Sequence, residues 1–451
     1  MERIYGICSP RDRHDMWLKR VVTSRKFITA VFLLLISSLL LSNFLPRHGS
    51  MANELPLWYA QFPNLAKLVT LLGLNALHTS VWFSIVGLLF LVSLSFSTFD
   101  QGERSYRLMK QFPAEIGGEE EALRVELLEF TGYLKREGYF CLADNGIISR
   151  HVRAPWGYWG NFVLHLGLTC VVLFAFVRVL TEHRTLFRIV EGVVVSREDG
   201  TTGEVAGLLA RKMTYPATVR LERLTPLFWD NDQLKSVTAE VALYDDLGGL
   251  EKVGLNAFDG TKVHGQMFYL SPHFGNAFFL QFYSGDTPPF TSVLTIGRPP
   301  RRDKAGYGDL DLPGGRLHLK AKYYADADRQ SMYTGNPLLV LRIFDGPNLL
   351  NEIRLRRGES GKLGPYLVRL AEVRGMGELL SVGGVGVAGI YGGFAIIFLG
   401  SVLVYCATPR EVVLRRSASG IMVSWRSVRF RDLYRTERER VMEFCRGEKK
   451  S

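Results

Sequence analysis

Histidines placed against apolar segments are the residues of this chain best suited to chemistry. His165 lies in the middle of an uncharged stretch, residues 156 to 177 (WGYWGNFVLHLGLTCVVLFAFV). As an α-helix this stretch would span about 33 Å, which matches a bilayer core of about 30 Å. An ionisable side chain about 14 Å in from Trp156 needs a protein partner, a water-filled cavity or a ligand. We therefore interpret His165 as functional, with hydrogen bonding to a neighbouring helix as the alternative.

His78 is the second candidate, because it directly precedes another apolar stretch in NALHTSVWFS and so belongs at a membrane boundary. We expect the two histidines to differ in depth by about 15 to 20 Å. A nitrogen that ligates a metal lies about 2 Å from it, so one iron cannot bind both. They would serve two stations on a path, or each would pair with a histidine of another protein.

The other candidate groups are weaker. His183 follows the same apolar stretch, where it is either an outer contact or an interfacial anchor. His264, His273 and His318 are unclustered in sequence, which favours ordinary surface or turn roles. We find no Walker P-loop, G-x-S-x-G elbow, H-E-x-x-H motif or metal-ligand spacing. The G-x-G-x-x-G at Gly384, Gly386 and Gly389 lies in an apolar span, which favours close helix packing over nucleotide binding.

Four uncharged stretches predict four transmembrane helices, with a large all-β domain inserted between the third and the fourth. The predicted segments are a basic head 1–26, helix 1 at 27–45, a short loop 46–78, helix 2 at 79–99, a loop 100–155, helix 3 at 156–178, the β domain 179–378, helix 4 at 379–407 and a basic tail 408–451.

Lysine and arginine set the predicted orientation. They number seven in residues 1–26, eight in 98–155 and twelve in 408–451, but two in 46–78. By the positive-inside rule, the head, the 100–155 loop, the tail and hence both termini are cytoplasmic, and the β domain is on the outer side. The net charge of +11 suits anionic lipid, and we expect no nucleic-acid partner. The first apolar stretch lacks an A-x-A site, which indicates a retained anchor.

The segment 179–378 predicts β structure, because short runs rich in Val, Ile, Phe and Tyr alternate with period two between turn residues. We expect roughly ten strands in a sandwich or open barrel, and one short helix over 205–213. None of the five cysteines falls in this domain, so it contains no disulfide. In the 100–155 loop, residues 118–137 predict a helix, and GYFCLADNGIISRHV predicts two strands around an Asp-Asn-Gly turn.

The chain resembles the ResB-like (CcsB-type) membrane proteins of the system II cytochrome c maturation pathway. ALHTSVWFSIVGLLFLVSLSFSTFDQ (76 to 101) is similar to the family's second span, and WGYWGNFVLHLGL (156 to 168) to its third, with a His-Leu-Gly signature. GVGVAGIYGGFAIIFLGSVLVYCATPREVVL (384 to 414) resembles the last span and its basic exit. The order and spacing of these segments carry the resemblance. The tail after residue 414 departs from it as a basic, partly amphipathic extension that would lie on the membrane or dock a partner.

The resemblance implies a role in haem delivery. Such proteins act with a CcsA/ResC-type partner to move haem b across the cytoplasmic (inner) membrane and present it to apocytochrome c, with a thiol-reducing thioredoxin-like protein as a further partner. It implies that His78 contacts haem iron in transit and that His165 is a second haem-binding residue. Because the tryptophan-rich haem-handling motif belongs to the partner, this chain is an accessory subunit and is not itself the synthase.

The chemistry of haem is consistent with this reading. A haem carrier needs an apolar cleft, an imidazole for iron and cations near the propionates, and Arg47, Arg178, Arg184 and Arg188 are candidates for those cations. Interfacial anchoring is the alternative for each arginine. Two other classes of function stay open: a non-haem membrane scaffold whose β domain binds extracytoplasmic proteins, and a transporter or sensor subunit for a different ligand.

Overall fold

The computed structural model describes residues 24–44, 61–74, 77, 80–110, 120–257, 259–285, 287–313, 317–333, 335–418 and 420–448. The chain divides into two compact units. One unit comprises residues 1–41, 80–179 and 385–451, and the other comprises 42–79 and 180–384. His78 and Arg47, both predicted at the outer boundary, lie outside the described residues.

The elements are numbered here in chain order. The α-helices are α1 (Arg25–Phe44), α2 (Pro63–Leu71), α3 (Val81–Lys110), α4 (Leu127–Arg136), α5 (Gly160–Thr181), α6 (Arg197–Gly200), α7 (Val387–Tyr405) and α8 (Arg435–Cys445). The strands are β1 (Glu120–Ala122), β2 (Tyr139–Asp144), β3 (Ile148–Arg153), β4 (His183–Val190), β5 (Val194–Ser196), β6 (Thr201–Ala206), β7 (Thr218–Phe228), β8 (Leu234–Tyr244), β9 (Leu250–Asn256), β10 (Thr261–Val263), β11 (Gln266–Ser284), β12 (Thr287–Gly297), β13 (Gly306–Asp311), β14 (Leu317–Tyr324), β15 (Leu338–Asp345), β16 (Asn348–Leu355), β17 (Ser360–Leu363), β18 (Tyr366–Gly383), β19 (Arg410–Ser417) and β20 (Gly420–Ser427).

Three helices of the first unit are long and apolar enough to cross a membrane: α3, α5 together with the 3₁₀ turn Pro155–Trp159 before it, and α7. They correspond to the second, third and fourth predicted spans. The apolar part of α1, Lys26–Ser42, is shorter. Its length of about 26 Å is less than the thickness of a typical bilayer core. The first predicted span, helix 1 at 27–45, therefore stays a prediction.

The ends of these helices differ from the predicted boundaries. Helix α3 runs past residue 99 to Lys110, where Arg107 and Lys110 in its last turn complement the helix dipole. Residues 379–383, predicted as the start of the last span, instead form the end of β18 and pair with β4. Gly384 and Gly386 then adopt φ values of 130° and 119°, which end the strand before α7 begins.

Glycines bring α5 and α7 into backbone contact as antiparallel neighbours. A Cβ added to Gly167 would lie 2.6 Å from the Ile397 nitrogen, and one on Gly400 would lie 2.4 Å from the Leu164 nitrogen. A Cβ on Gly389 would collide with the Phe174 ring at 2.2 Å. The glycines of α7 therefore serve helix packing, as predicted. Gly384 and Gly386 of the G-x-G-x-x-G instead precede the helix, so the prediction that the whole motif lies in the span was wrong.

Helix α5 also packs against α3. Gly102 faces the Phe162 ring, to which an added Cβ would approach within 3.0 Å, and Gly87 faces Phe176 at 3.2 Å. Phe32 of α1 stacks on Phe90 of α3 with ring centroids 5.9 Å apart. Helix α5 is thus the central helix, with α3 and α7 as its neighbours in the first unit.

The loop before α5 and the tail after α7 form one antiparallel sheet in the order β1-β20-β19-β3-β2, which we call the loop–tail sheet. Helices α4 and α8 pack on it around Phe130, Tyr139, Trp425 and Phe444. The loop and the tail were predicted as separate segments, with the tail as a basic extension on the membrane or against a partner. The tail instead supplies two strands and a helix to a shared core, which contains Val412 and Leu414 of β19 and Val423 and Trp425 of β20.

The predicted helix over 118–137 is shorter than expected. Residues 120–122 form β1 and pair with β20, so the helix α4 begins only at Leu127. The predicted hairpin is confirmed as β2 and β3. Its turn is held by the Asp144 side chain, which accepts from the Gly146 N–H at 2.8 Å, and by Asn145, which accepts from Ile148 at 2.7 Å.

A buried charge cluster joins the loop to the tail. Arg150 of β3 donates to Glu411 of β19 across 2.9 Å, and both side chains are almost fully buried. Tyr158 also donates to Glu411, and Arg426 of β20 donates to its other oxygen at 2.7 Å. Burial alone would raise the pKa of Glu411, but the Tyr158 hydrogen bond and the two guanidinium charges lower it below its usual range.

The large β domain runs from His183 to Gly383 and contains fifteen strands in the described residues, more than the ten predicted. The additional strands include β5, β10 and β17, which have three or four residues and are too short to show alternation. The fifteen strands form one seven-stranded sheet and two four-stranded sheets. The seven-stranded sheet has the order β10-β11-β18-β4-β6, with β12 paired to β11 and β17 paired to β18. The helix predicted over 205–213 is absent from the described residues, since β6 occupies 201–206 and no helix follows.

Two sandwiches share the strands β11 and β18. The sheet β5-β7-β8-β9 packs on one half of the seven-stranded sheet around Phe187, Val241 and Phe268. The sheet β13-β14-β15-β16 packs on the other half around Phe278, Tyr323 and Leu341. Between the halves, the register of β11 against β18 shifts between Leu270 and Phe274. This bulge contains Pro272, which cannot donate to a ladder.

Adjacent glycines in α7 test the helix contact. Gly393 faces Val171, whose nitrogen would lie 2.8 Å from an added Cβ, whereas nothing lies within 4 Å of Gly392. We expect Gly393→Ala to destabilise the helix bundle by about 1 to 3 kcal/mol through overpacking, and Gly392→Ala to leave it unchanged. Thermal unfolding of both variants in the same detergent measures this. Equal stability of the two would contradict the contact.

Glu411→Gln tests the buried charge cluster. We expect a loss of roughly 3 kcal/mol at pH 7, because two guanidinium groups would face an uncharged amide in a buried site. Since the folded pKa is lowered, the stability from Glu411 is present above its ordinary value of 4.5 and is lost as pH falls through the lower folded value. The deficit of the variant should therefore shrink in acid. Limited proteolysis across pH measures it, with the half-exposed Glu120→Gln as control.

Candidate functional site

His165 occupies the centre of a polar seam between α5 and α3. It is half-buried on α5, five residues after the first helical residue, Gly160. Its Nδ1 lies 2.9 Å from the backbone oxygen of Asn161, one turn earlier. A carbonyl oxygen only accepts, so this contact assigns the ring proton to Nδ1 and leaves the lone pair on Nε2.

Two threonine hydroxyls lock the turn that carries His165. The Thr169 hydroxyl donates to the His165 carbonyl oxygen at 2.8 Å. The Thr98 hydroxyl of α3 lies 2.7 Å from the Thr169 hydroxyl and 3.3 Å from the same carbonyl. Hydroxyls between apolar helices bond across the interface because lipid offers no partner. The seam therefore fixes α5 against α3 beside the histidine.

A second hydrogen bond from α3 lies about two helical turns after Thr98. The Ser105 hydroxyl donates to the Tyr158 carbonyl at 2.8 Å, and Ser105 is buried. Tyr158 in turn reaches Glu411, so the seam connects to the buried cluster of the loop–tail sheet. Together with the glycine contacts to α7, these bonds hold the start of α5 on two sides. The ring of His165 is thus carried by a rigid helix.

The chemistry open to this site is ligation through a neutral imidazole. An Nδ1–H bonded to a carbonyl is the arrangement that orients a ligating histidine and raises its basicity. Among the residues that the structure describes, no three His, Cys, Asp or Glu side chains cluster to hold a metal ion. A metal bound at His165 would therefore need ligands from elsewhere, as a haem iron with its four ring nitrogens does.

The arginines proposed for propionates have acidic neighbours instead. Arg184 pairs with Glu182, and Arg188 lies 3.7 Å from Glu378. Each of these two guanidinium groups thus already has a carboxylate neighbour. Arg178, at the end of α5, also has an interaction partner, and Arg47 lies outside the described residues.

Several other histidines of the described residues have contacts of their own. His264 forms an ion-pair contact with Glu251 at 3.1 Å, and His318 contacts Asp311 at 2.6 Å. His183 faces Gly383 across the β4–β18 ladder. These are the structural roles expected from their scattered positions. His151, in the loop–tail sheet, contacts Ser149 at 3.0 Å, and burial lowers its pKa.

The sequence analysis did not identify Thr98 and Thr169 as part of the site. A signal was present, because Ser93, Ser95, Ser97 and Thr98 form a small polar run within an apolar span. Hydroxyls in such a helix bond either to their own backbone or to a neighbour. Ser95 takes the first course and Thr98 takes both, which only the helix arrangement reveals.

Comparison with known proteins shows a family match. The model of the ResB-like family matches residues 28–288, which include α3, the His165 seam on α5 and much of the large β domain. No curated protein matches the chain.

Proposed function

The chain belongs to the ResB-like family, which is linked to cytochrome c biogenesis, and from this premise we propose its specific role. It is a membrane subunit of the system II cytochrome c maturation machinery. It helps to move haem b across the membrane and to present it, with a CcsA/ResC-type partner, for covalent attachment to apocytochrome c.

The geometry of His165 is the observation that carries this proposal. Its Nδ1 faces the Asn161 carbonyl at 2.9 Å, so Nε2 keeps the lone pair that binds iron. The residue sits in an apolar helix, which suits the apolar ring of haem. The imidazole bonds within its own helix while the threonines bridge α5 to α3, which supports a role for the ring other than helix packing.

His78 is proposed as the haem ligand at the outer boundary, on the strength of the family resemblance alone. In that scheme the two histidines serve successive positions of the same cargo. The second axial ligand at each position is assigned to the partner protein. The thioether chemistry is likewise assigned to the partner, with a thioredoxin-like protein keeping the apocytochrome cysteines reduced.

The proposed location is the cytoplasmic (inner) membrane, with the loop–tail sheet inside and the large β domain outside. The basic residues of the 100–155 loop and of the tail support this orientation, including Arg415, Arg429 and Arg438 from the tail. The large β domain would then meet apocytochrome c on the outer face.

His165→Ala tests the haem role. We expect the haem absorbance of the protein, purified with its partner, to fall to roughly a tenth, because an iron ligand is lost. His318→Ala, an exposed histidine of the large β domain, should retain the absorbance. Holo-cytochrome c yield in cells expressing each variant provides the second measurement. Unchanged haem and cytochrome c in His165→Ala would contradict a ligand role for His165, whereas no haem absorbance in any of the purified proteins would support the alternative of a non-haem scaffold.

Cysteine labelling tests the orientation. Cys141 is exposed on β2, and Leu247→Cys would place a thiol at a residue that is 96 % exposed in the large β domain. In single-cysteine variants, an impermeant maleimide should label residue 247 in intact spheroplasts and Cys141 only after lysis. Cys445 serves as an unreactive reference, since burial raises the pKa of its thiol to about 11. The opposite labelling pattern would reverse the proposed orientation.

A further inference from the structure

A cavity of about 430 Å³ lies at the junction of the two sandwiches in the large β domain. Its walls come from β7, from the β11 segment after the bulge, from β14 and from Arg298, which directly follows β12. A volume of this size falls in the range of small-molecule sites, about 300 to 1,000 Å³. The cavity is separate from His165, which belongs to the other unit.

Two glycines that line this cavity leave no room for a side chain of their own. A Cβ on Gly275 would lie 2.1 Å from the Ile296 carbonyl oxygen, and one on Gly375 would lie 2.9 Å from the Glu191 carboxyl carbon. Both residues line the cavity on the shared strands β11 and β18. The two hydrophobic cores lie on either side of this point, so neither fills it. The gap is a consequence of how the two sandwiches are joined.

Arg298 is the polar group of the cavity with unused hydrogen-bonding capacity. Its guanidinium carbon lies 5.5 Å from the Phe274 ring centroid and 5.7 Å from that of Phe228. Its Nη1 is buried and has no hydrogen-bond partner among the described residues. No described carboxylate lies within ion-pair distance of it. Burial lowers the pKa of Arg298, which reflects the cost of a desolvated cation without an anion.

Two other polar side chains of the cavity have hydrogen-bond partners. The Glu191 carboxylate accepts from the backbone N–H groups of Leu224 at 2.6 Å and of Gly375 at 2.9 Å. The Asn276 side-chain oxygen accepts from the Tyr323 hydroxyl at 2.9 Å. An incoming ligand would thus find a guanidinium without a carboxylate partner among aromatic and aliphatic walls.

We propose that this cavity binds a small molecule with an aromatic or apolar body and a single carboxylate. The carboxylate accepts a charge-assisted hydrogen bond from the Arg298 guanidinium. Such bonds between arginine and a carboxylate are stronger than those between neutral groups. The body packs against Phe228, Phe274 and Tyr333. This inference does not rest on the proposed haem role, because it concerns a different unit of the chain.

The test uses the full-length protein in lipid nanodiscs and two fluorinated probes of equal shape, 3-(4-fluorophenyl)propanoate and its uncharged amide. Binding is followed by ¹⁹F NMR line broadening, and empty nanodiscs correct for partition into lipid. We expect the acid to bind at least about tenfold more tightly than the amide, since a hydrogen bond to a charged group is gained. Equal affinity of the two probes, or no saturable binding, would overturn the proposal.

Two variants and one control make the result specific. Arg298→Gln should abolish the preference for the acid. Arg329→Gln should retain it, because Arg329 is an exposed arginine that stacks on Tyr324 at 4.7 Å and does not line the cavity. Thr225→Trp, at an exposed residue of the cavity wall, should weaken the acid and the amide alike. A preference that survives in Arg298→Gln, or binding unaffected by Thr225→Trp, would place the probe elsewhere.

Discussion

The approach of α5 and α7 to backbone contact underlies the arrangement of the first unit. Apolar side chains gain little by leaving lipid for another helix, so helices in a membrane associate through close packing and a few polar bonds. Glycines on both helices allow that packing, and the contact extends to the ends: Gly157 lies so near the Ala407 carbonyl oxygen that no side chain fits. The same contact brings Arg150, before α5, to Glu411, after α7.

The helix that carries His165 and the loop–tail sheet are therefore connected by direct contacts. His165 sits on a helix held by glycines on one side and by Thr98 on the other. The start of that helix is joined to the sheet through Tyr158 and Glu411. A rigidly held helix suits a residue that must present one ring nitrogen in a fixed direction. Because of the contact between Tyr158 and Glu411, substitutions in the core of the loop–tail sheet would alter the position of the start of α5.

Much of the architecture could be predicted from local patterns. The second to fourth spans, the β2–β3 turn and the alternating strands each have a signal within a dozen residues. The glycines of α7 were interpreted correctly because their apolar surroundings exclude a phosphate site. The loop–tail sheet was missed, because pairing of Arg153 with Arg410 has no local signature. The cavity was missed for the same reason: it depends on a bulge at Pro272 and on a cation brought from β12.

The pairing of β3 with β19 also has a consequence for biosynthesis. Roughly 250 residues separate the two strands along the chain. At ribosomal speeds of about 5 to 20 residues per second, β3 waits roughly 12 to 50 seconds for its partner. During that interval a strand edge and the core face of α4 remain uncovered, and a chain that terminates early never covers them. Completion of this sheet thus requires that the last span and the tail have both been made.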